Sequence, residues 1–145
     1  MHFAGACRCG AIAYDVADGA VDFRVFCHCR ACVEAAGCSP VHIVAIRPPG
    51  ALRLTKGADV LAVTGPSGPN GMTRASCGSC GTLVHQGPHS APFRGVLAST
   101  ITSAELLRPT AHINYDSRTA DAIDDLPKFG GFPPASGAPG EFVWA

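Results

Sequence analysis

The sequence predicts a mainly β domain with one or two short helices, and three observations carry that expectation. Its apolar residues come in short, mostly alternating runs; those runs are bounded by Gly, Pro or Asn; and few stretches have helical spacing. "AIAYDV" places Ile12, Tyr14 and Val16 on one face, and "VLAVT" does the same with Val60, Ala62 and Thr64. "DFRVF", "VHIVAI", "TLVH" and "FRGVLAS" read as further strands, and "GPSGPNG", residues 65–71, as a turn-rich connection. One helix is expected through "RACVEAAG", ending at Gly37, and a second at "SAELL", from Ser103 with Pro109 soon after.

The 145 residues suit one domain, placed at 1–127, and the 47% hydrophobic content supplies a core. The remaining 128–145 are too rich in Pro and Gly for regular structure and read as a tail. Its aromatic residues Phe129, Phe132, Phe142 and Trp144 would anchor it to the body or to a second subunit, as in a homodimer. Formal net charge is zero, which gives no electrostatic reason to expect nucleic acid or a membrane surface as partner. "MHFAGACRCG" lacks the basic start and apolar run of a secretion signal, so a cytoplasmic location is expected. In that reducing setting eight cysteines in short clusters point to metal rather than disulfides.

The clusters are "CRCG" (Cys7, Cys9), "CHCRAC" (Cys27, Cys29, Cys32) and "CGSCG" (Cys77, Cys80), with Cys38 apart. Zinc–sulfur bonds of about 2.3 Å in a tetrahedron need thiolates just under about 4 Å apart, which a tight C-x-x-C turn delivers. Gly78 and Gly81 give that turn its backbone freedom and let amides approach the sulfurs. Joining Cys7 and Cys9 to Cys77 and Cys80 makes a closed, structural four-thiolate site. Cys27, Cys29 and Cys32 then remain together, three ligands with an open fourth position, as in a working zinc. Three thiolates outweigh the ion's charge, so the centre is suited to holding a further soft thiolate from a substrate.

Spacing leaves alternatives open. Cys77 and Cys80 could instead close with Cys29 and Cys32 as a zinc ribbon, and His28 could complete the triple cluster. Cations are wanted beside so negative a centre, and Arg30 and a protonated His28 are the candidates to bind substrate there. His85 and His112 read as structural side chains and Cys38 as a small buried one, with no role assigned.

"GACRCGAIAY", "CHCRACVEAAG", "CGSCGTL" and "PTAHINYDS" followed by "DDLP" occur in the order found in glutathione-dependent formaldehyde-activating enzymes. The chain resembles that family from about Gly5 to Pro127. The resemblance implies a β-tent fold of antiparallel sheets braced by two zinc ions per chain. The structural zinc would lie at Cys7, Cys9, Cys77 and Cys80, and the active-site zinc at Cys27, Cys29 and Cys32. It also implies a carbon–sulfur lyase-type reaction in which glutathione adds to formaldehyde to give S-hydroxymethylglutathione. A non-catalytic zinc-braced module that binds a small thiol or a protein is the competing class. Ser76, "VLAST" and the lack of a tryptophan in "RTADAI", directly after Ser117, depart from the family pattern and imply a substrate pocket of different shape.

Overall fold

The computed structural model describes residues 3–102 and 107–131. The expected helix from Ser103, and Phe132, Phe142 and Trp144, lie outside the described residues. The chain is mainly β, with ten strands and one α-helix among the described residues. They fall into two compact units: unit 1 holds 3–23, 44–102 and 107, and unit 2 holds 24–43 and 108–131.

In unit 1, β1 (Phe3–Ala6), β2 (Ala13–Val16) and β5 (Leu52–Lys56) form an antiparallel sheet in the order β1–β2–β5. The alternation in "AIAYDV" does what its period dictates. Ile12, Tyr14 and Val16 are all buried, at 0%, 1% and 0% exposure, each burial contributing about 1.5–3 kcal/mol. Tyr14 satisfies its buried hydroxyl on the Thr100 Oγ1, 2.7 Å away, and Thr100 donates in turn to the Leu97 carbonyl. Burial pushes the Tyr14 phenol up to about 12. Gly5 is required opposite this ring, because a Cβ there would overlap Tyr14 and the Thr100 carbonyl.

Also in unit 1, β6 (Leu61–Ser67), β7 (Met72–Cys77), β8 (Leu83–Pro88) and β9 (Arg94–Leu97) pair antiparallel in sequence order. Residues 68–71 make the turn between β6 and β7, within the expected connection. The face expected of Val60, Ala62 and Thr64 is a correction. Ala62 and Thr64 are exposed and Val60 lies in a 3-10 turn before the strand. β6 ends the strand order, so it has one neighbour and its alternation records no buried face. Ile12, Tyr14 and Val16 share one core with Val44, Ile46, Val84 and Val96, and Cys7 and Cys77 belong to it.

In unit 2, β3 (Val21–Cys27), which begins in unit 1, pairs in parallel with β10 (Ala111–Ile113), so the sheets are mixed rather than wholly antiparallel. Helix α1 (Arg30–Ala36) follows β3 and stops where expected, at Gly37, which takes a left-handed φ of 75° and donates its N–H to the Val33 carbonyl. β4 (Val41–Ile46) then lies beside β3. The segment after β10 folds back along it. His112 N–H donates to the Pro127 carbonyl and Phe129 N–H to the His112 carbonyl, so 127–129 run alongside the strand.

Candidate metal centres and a buried polar ladder

None of the eight cysteines forms a disulfide. In unit 1 the sulfurs of Cys7, Cys9, Cys77 and Cys80 all lie within 4.8 Å of one another. Cys9 Sγ stands 3.7 Å from Cys7 Sγ and 3.8 Å from Cys77 Sγ. Those spacings suit a tetrahedral ion with sulfur bonds of about 2.3 Å. Two tight turns produce them. Cys7–Gly10 closes with Gly10 N–H on the Cys7 carbonyl, and Cys77–Gly81 with Gly81 N–H on the Cys77 carbonyl. Gly10 and Gly81 have φ of 78° and 76°, a region that costs an L side chain about 1–2 kcal/mol. Gly78 serves differently from expected: its φ is not positive, but it approaches the Val60 carbonyl so closely that a Cβ would crowd it.

Backbone amides point at these sulfurs. Ile12 N–H reaches Cys7 Sγ at 3.3 Å, and the Ser79 and Cys80 amides reach Cys77 Sγ at 3.4 and 3.5 Å. Such donors favour the ionised thiol, the form that binds metal. Four soft donors, their spacing and their amide partners fit a closed metal site, so this cluster can hold a metal ion.

In unit 2, Cys27 ends β3, Cys29 precedes α1 and Cys32 lies in its first turn. Among the described residues the mutual gathering found for the four thiols is not repeated here. The Cys32 side chain nevertheless hydrogen-bonds Cys27 and lowers its pKa against burial, with Asn114 adding to the effect. Asn114 Nδ2 donates to Cys27 Sγ at 3.4 Å. The donor set is soft and one sulfur is already hydrogen-bonded as a thiolate would be, which fits a thiophilic metal. Arg30, the first residue of α1, is exposed. Cys38 is exposed too, so the expectation of a buried side chain is corrected.

His28 departs from the expected cation. It is 3% exposed, and burial, with His112 and Arg118 nearby, pushes it down to about 4, so it is neutral at pH 7. It heads a ladder that the sequence did not announce. His28 Nε2 is 2.8 Å from His112 Nδ1, and His112 Nε2 is 2.8 Å from Asp124 Oδ2. Asp124 Oδ1 accepts from Lys128 Nζ at 2.9 Å. The Lys128 ammonium is 0% exposed and spends its other protons on the Asp124 and Leu126 carbonyls. Burial would raise the Asp124 carboxyl, but Lys128, His112 and the Leu126 amide hold it down at about 2. Tyr115 stands edge-on to His28 at 5.1 Å, capped on one face by the Arg118 guanidinium at 4.2 Å. His85 lies in unit 1, where burial and Arg94 push it down to about 4.

A mainly β fold with a four-cysteine cluster that could hold a metal ion defines the class of protein. The chain belongs to the glutathione-dependent formaldehyde-activating enzyme family, whose pattern matches residues 2–117. A solved structure of a Rhodobacter sphaeroides protein is similar in fold: it is 22% identical, with a TM-score of 0.55, covering 73% of this chain and 96% of that one. No curated protein matches the chain. No helix of the described residues is long and apolar enough to cross a membrane.

Proposed function

We propose that the protein is a zinc-dependent carbon–sulfur lyase-type enzyme acting on a thiol–aldehyde adduct, with glutathione and formaldehyde as the pair the family points to. The observation that carries this is the contrast between two cysteine sets. One is complete and gathered, while the other ends at a buried histidine–aspartate–lysine ladder that a purely structural site does not need.

Cys7, Cys9, Cys77 and Cys80 would hold a structural zinc, and Cys27, Cys29 and Cys32 a second one. Bound at the second set, zinc would keep a substrate thiol ionised at neutral pH, ready to add to an aldehyde carbon. The chain's own groups prepare that site. Asn114 donates to the Cys27 sulfur, which spreads its charge. Neutral His28 offers a ring beside the cysteines without adding a fixed charge. Arg30, on the exposed start of α1, is the cation available to a tripeptide's carboxylates, since Arg118 is held by Asp121 at 2.7 Å.

Cobalt substitution tests the reading. Adding glutathione should shift the d–d bands and strengthen sulfur-to-cobalt charge transfer, and Cys29→Ala should abolish both changes. Exchange between formaldehyde and its glutathione adduct should exceed the uncatalysed rate in the wild type and not in Cys29→Ala. Bands that ignore several biological thiols would sink the thiol site. Thiol binding without any excess exchange would leave a binding module instead of an enzyme.

A further inference from the structure

The ladder in unit 2 allows the protons on two histidine rings to be placed. Lys128 Nζ has three protons and three acceptors, at 2.8–3.1 Å, so it is a buried ammonium with none to spare. The Asp124 carboxylate is its counter-charge, and an ionised carboxylate only accepts. Oδ1 receives Lys128 and the Leu126 N–H, and Oδ2 faces His112 Nε2. His112 Nε2 therefore carries a proton. A second proton on that ring would bury two cations, Lys128 and His112, around one carboxylate, which desolvation opposes. His112 Nδ1 is thus a lone pair, and the only donor it can receive at 2.8 Å is His28 Nε2–H.

We infer that Asp124 and Lys128 act through His112 as positioning residues for His28. They fix the proton on Nε2 of both rings, so that His28 Nδ1 is the hydrogen-bond acceptor offered to an amide N–H of a bound thiol peptide, whose sulfur is itself ionised. Among the described residues Nδ1 has no hydrogen-bond partner, nor is it among the buried polar atoms left without one. The acceptor role rests on the thiol-binding reading above; the ring tautomers do not.

The same bookkeeping says what one atom would change. In Asp124→Asn, the position of Oδ1 still receives two donors, Lys128 and the Leu126 amide, and only the amide oxygen can serve both. The NH2 group must then face His112 Nε2 and donate to it. That drives the His112 proton to Nδ1, which donates to His28 Nε2 and drives the His28 proton to Nδ1. One carboxylate-to-amide exchange, almost without change of shape, should invert both rings.

Long-range nitrogen–proton correlation spectra of the 15N-labelled, zinc-loaded protein read this directly. The wild type should show Nε2–H and a bare Nδ1 on both His28 and His112, and Asp124→Asn should show the reverse. Wild-type rings with a proton on Nδ1, or an Asp124→Asn protein with unchanged tautomers, would overturn the inference. The wild-type spectrum decides the matter by itself if the variant does not fold. Adding glutathione should then shift the His28 Nδ1 resonance in the wild type and leave it unmoved in Asp124→Asn. A wild-type Nδ1 indifferent to glutathione, while the cobalt bands respond, would remove the acceptor role specifically. Cobalt bands that do not respond would count against the thiol site and leave the tautomers standing.

Discussion

In unit 1 four sulfurs lie within 4.8 Å of one another, backbone amides point at two of them, and Cys7 and Cys77 belong to the hydrophobic core. In unit 2 the three cysteines sit at a strand end and a helix start, and beside the Cys29 amide the Cys27 sulfur meets two side chains, Asn114 and Cys32, with His28 and its ladder next along the chain. Amides from tight turns cannot move without unfolding the turn. Side chains can reorient, titrate and meet a ligand. The first environment can hold an ion rigidly, and the second is the one in which the proposed chemistry would have groups free to respond.

The largest break in this comparison should come from one substitution in each set. Cys77→Ala removes a ligand that is also a core residue, and structural zinc contributes on the order of 10 kcal/mol of folding free energy, more than a whole domain's usual margin. We expect insoluble or unfolded protein by circular dichroism. Cys29→Ala should keep the wild-type spectrum and thermal midpoint to within a few degrees while metal analysis falls from two zincs to about one. A folded Cys77→Ala protein with both metals, or Cys29→Ala losing the tightly held zinc, would mean that the roles of the two sets are exchanged.

What the sequence disclosed follows the range of the interactions involved. Ile12, Tyr14 and Val16, the stop at Gly37 and the two cysteine turns are local patterns of period two, of capping and of ligand spacing, and all were legible. β1, β5, β7 and β10 were not expected as strands. β5 is mostly exposed, and β1 and β10 are four and three residues long, too short for alternation to register. The ladder was invisible for a deeper reason. His28 and His112 are 84 positions apart, and each alone is a histidine of no special context. Only the "HINYDS … DDLP" spacing held a signal, since it brings Asp124 back to His112 across 12 positions. Lys128, read as the first residue of a tail, is buried.

An intermediate effect sharpens the electrostatic half of the comparison. His85 sits in unit 1 with Nδ1 buried and without a hydrogen-bond partner, and its pKa is pushed down from 6.5 to about 4. A folded value below the unfolded one means that the fold favours the neutral ring. Its contribution is complete above pH 6.5 and is lost as pH falls towards 4. Replacing His85 with Met removes both the titration and the unpaired nitrogen. Urea midpoints at pH 7 should match the wild type or exceed it slightly, and at pH 5 the variant should gain no more than about 2 kcal/mol relative to it, given the partial exposure of the ring. Acid release of zinc is common to both proteins and cancels in the difference. Parallel stability–pH curves would show that His85 is not held neutral.

The smallest effect isolates one hydrogen bond in unit 2. Asn114 is the one non-glycine residue with positive φ among the described residues, at 52°, and its side chain donates to Cys27 Sγ. Two roles coincide at this position: backbone conformation and charge on the sulfur. Asn114→Gly keeps the backbone easy and removes the donor, whereas Asn114→Ala removes the donor and adds strain of about 1 kcal/mol. Both should shift the sulfur-to-cobalt charge transfer of the second site equally, because both leave the Cys27 sulfur more electron-rich. Only Asn114→Ala should lower the urea midpoint further, by the strain. Equal stability loss with no spectral shift would make Asn114 a turn residue alone. A shift in either variant ties the second cysteine set to a tuned sulfur, a feature that a merely structural zinc would not require.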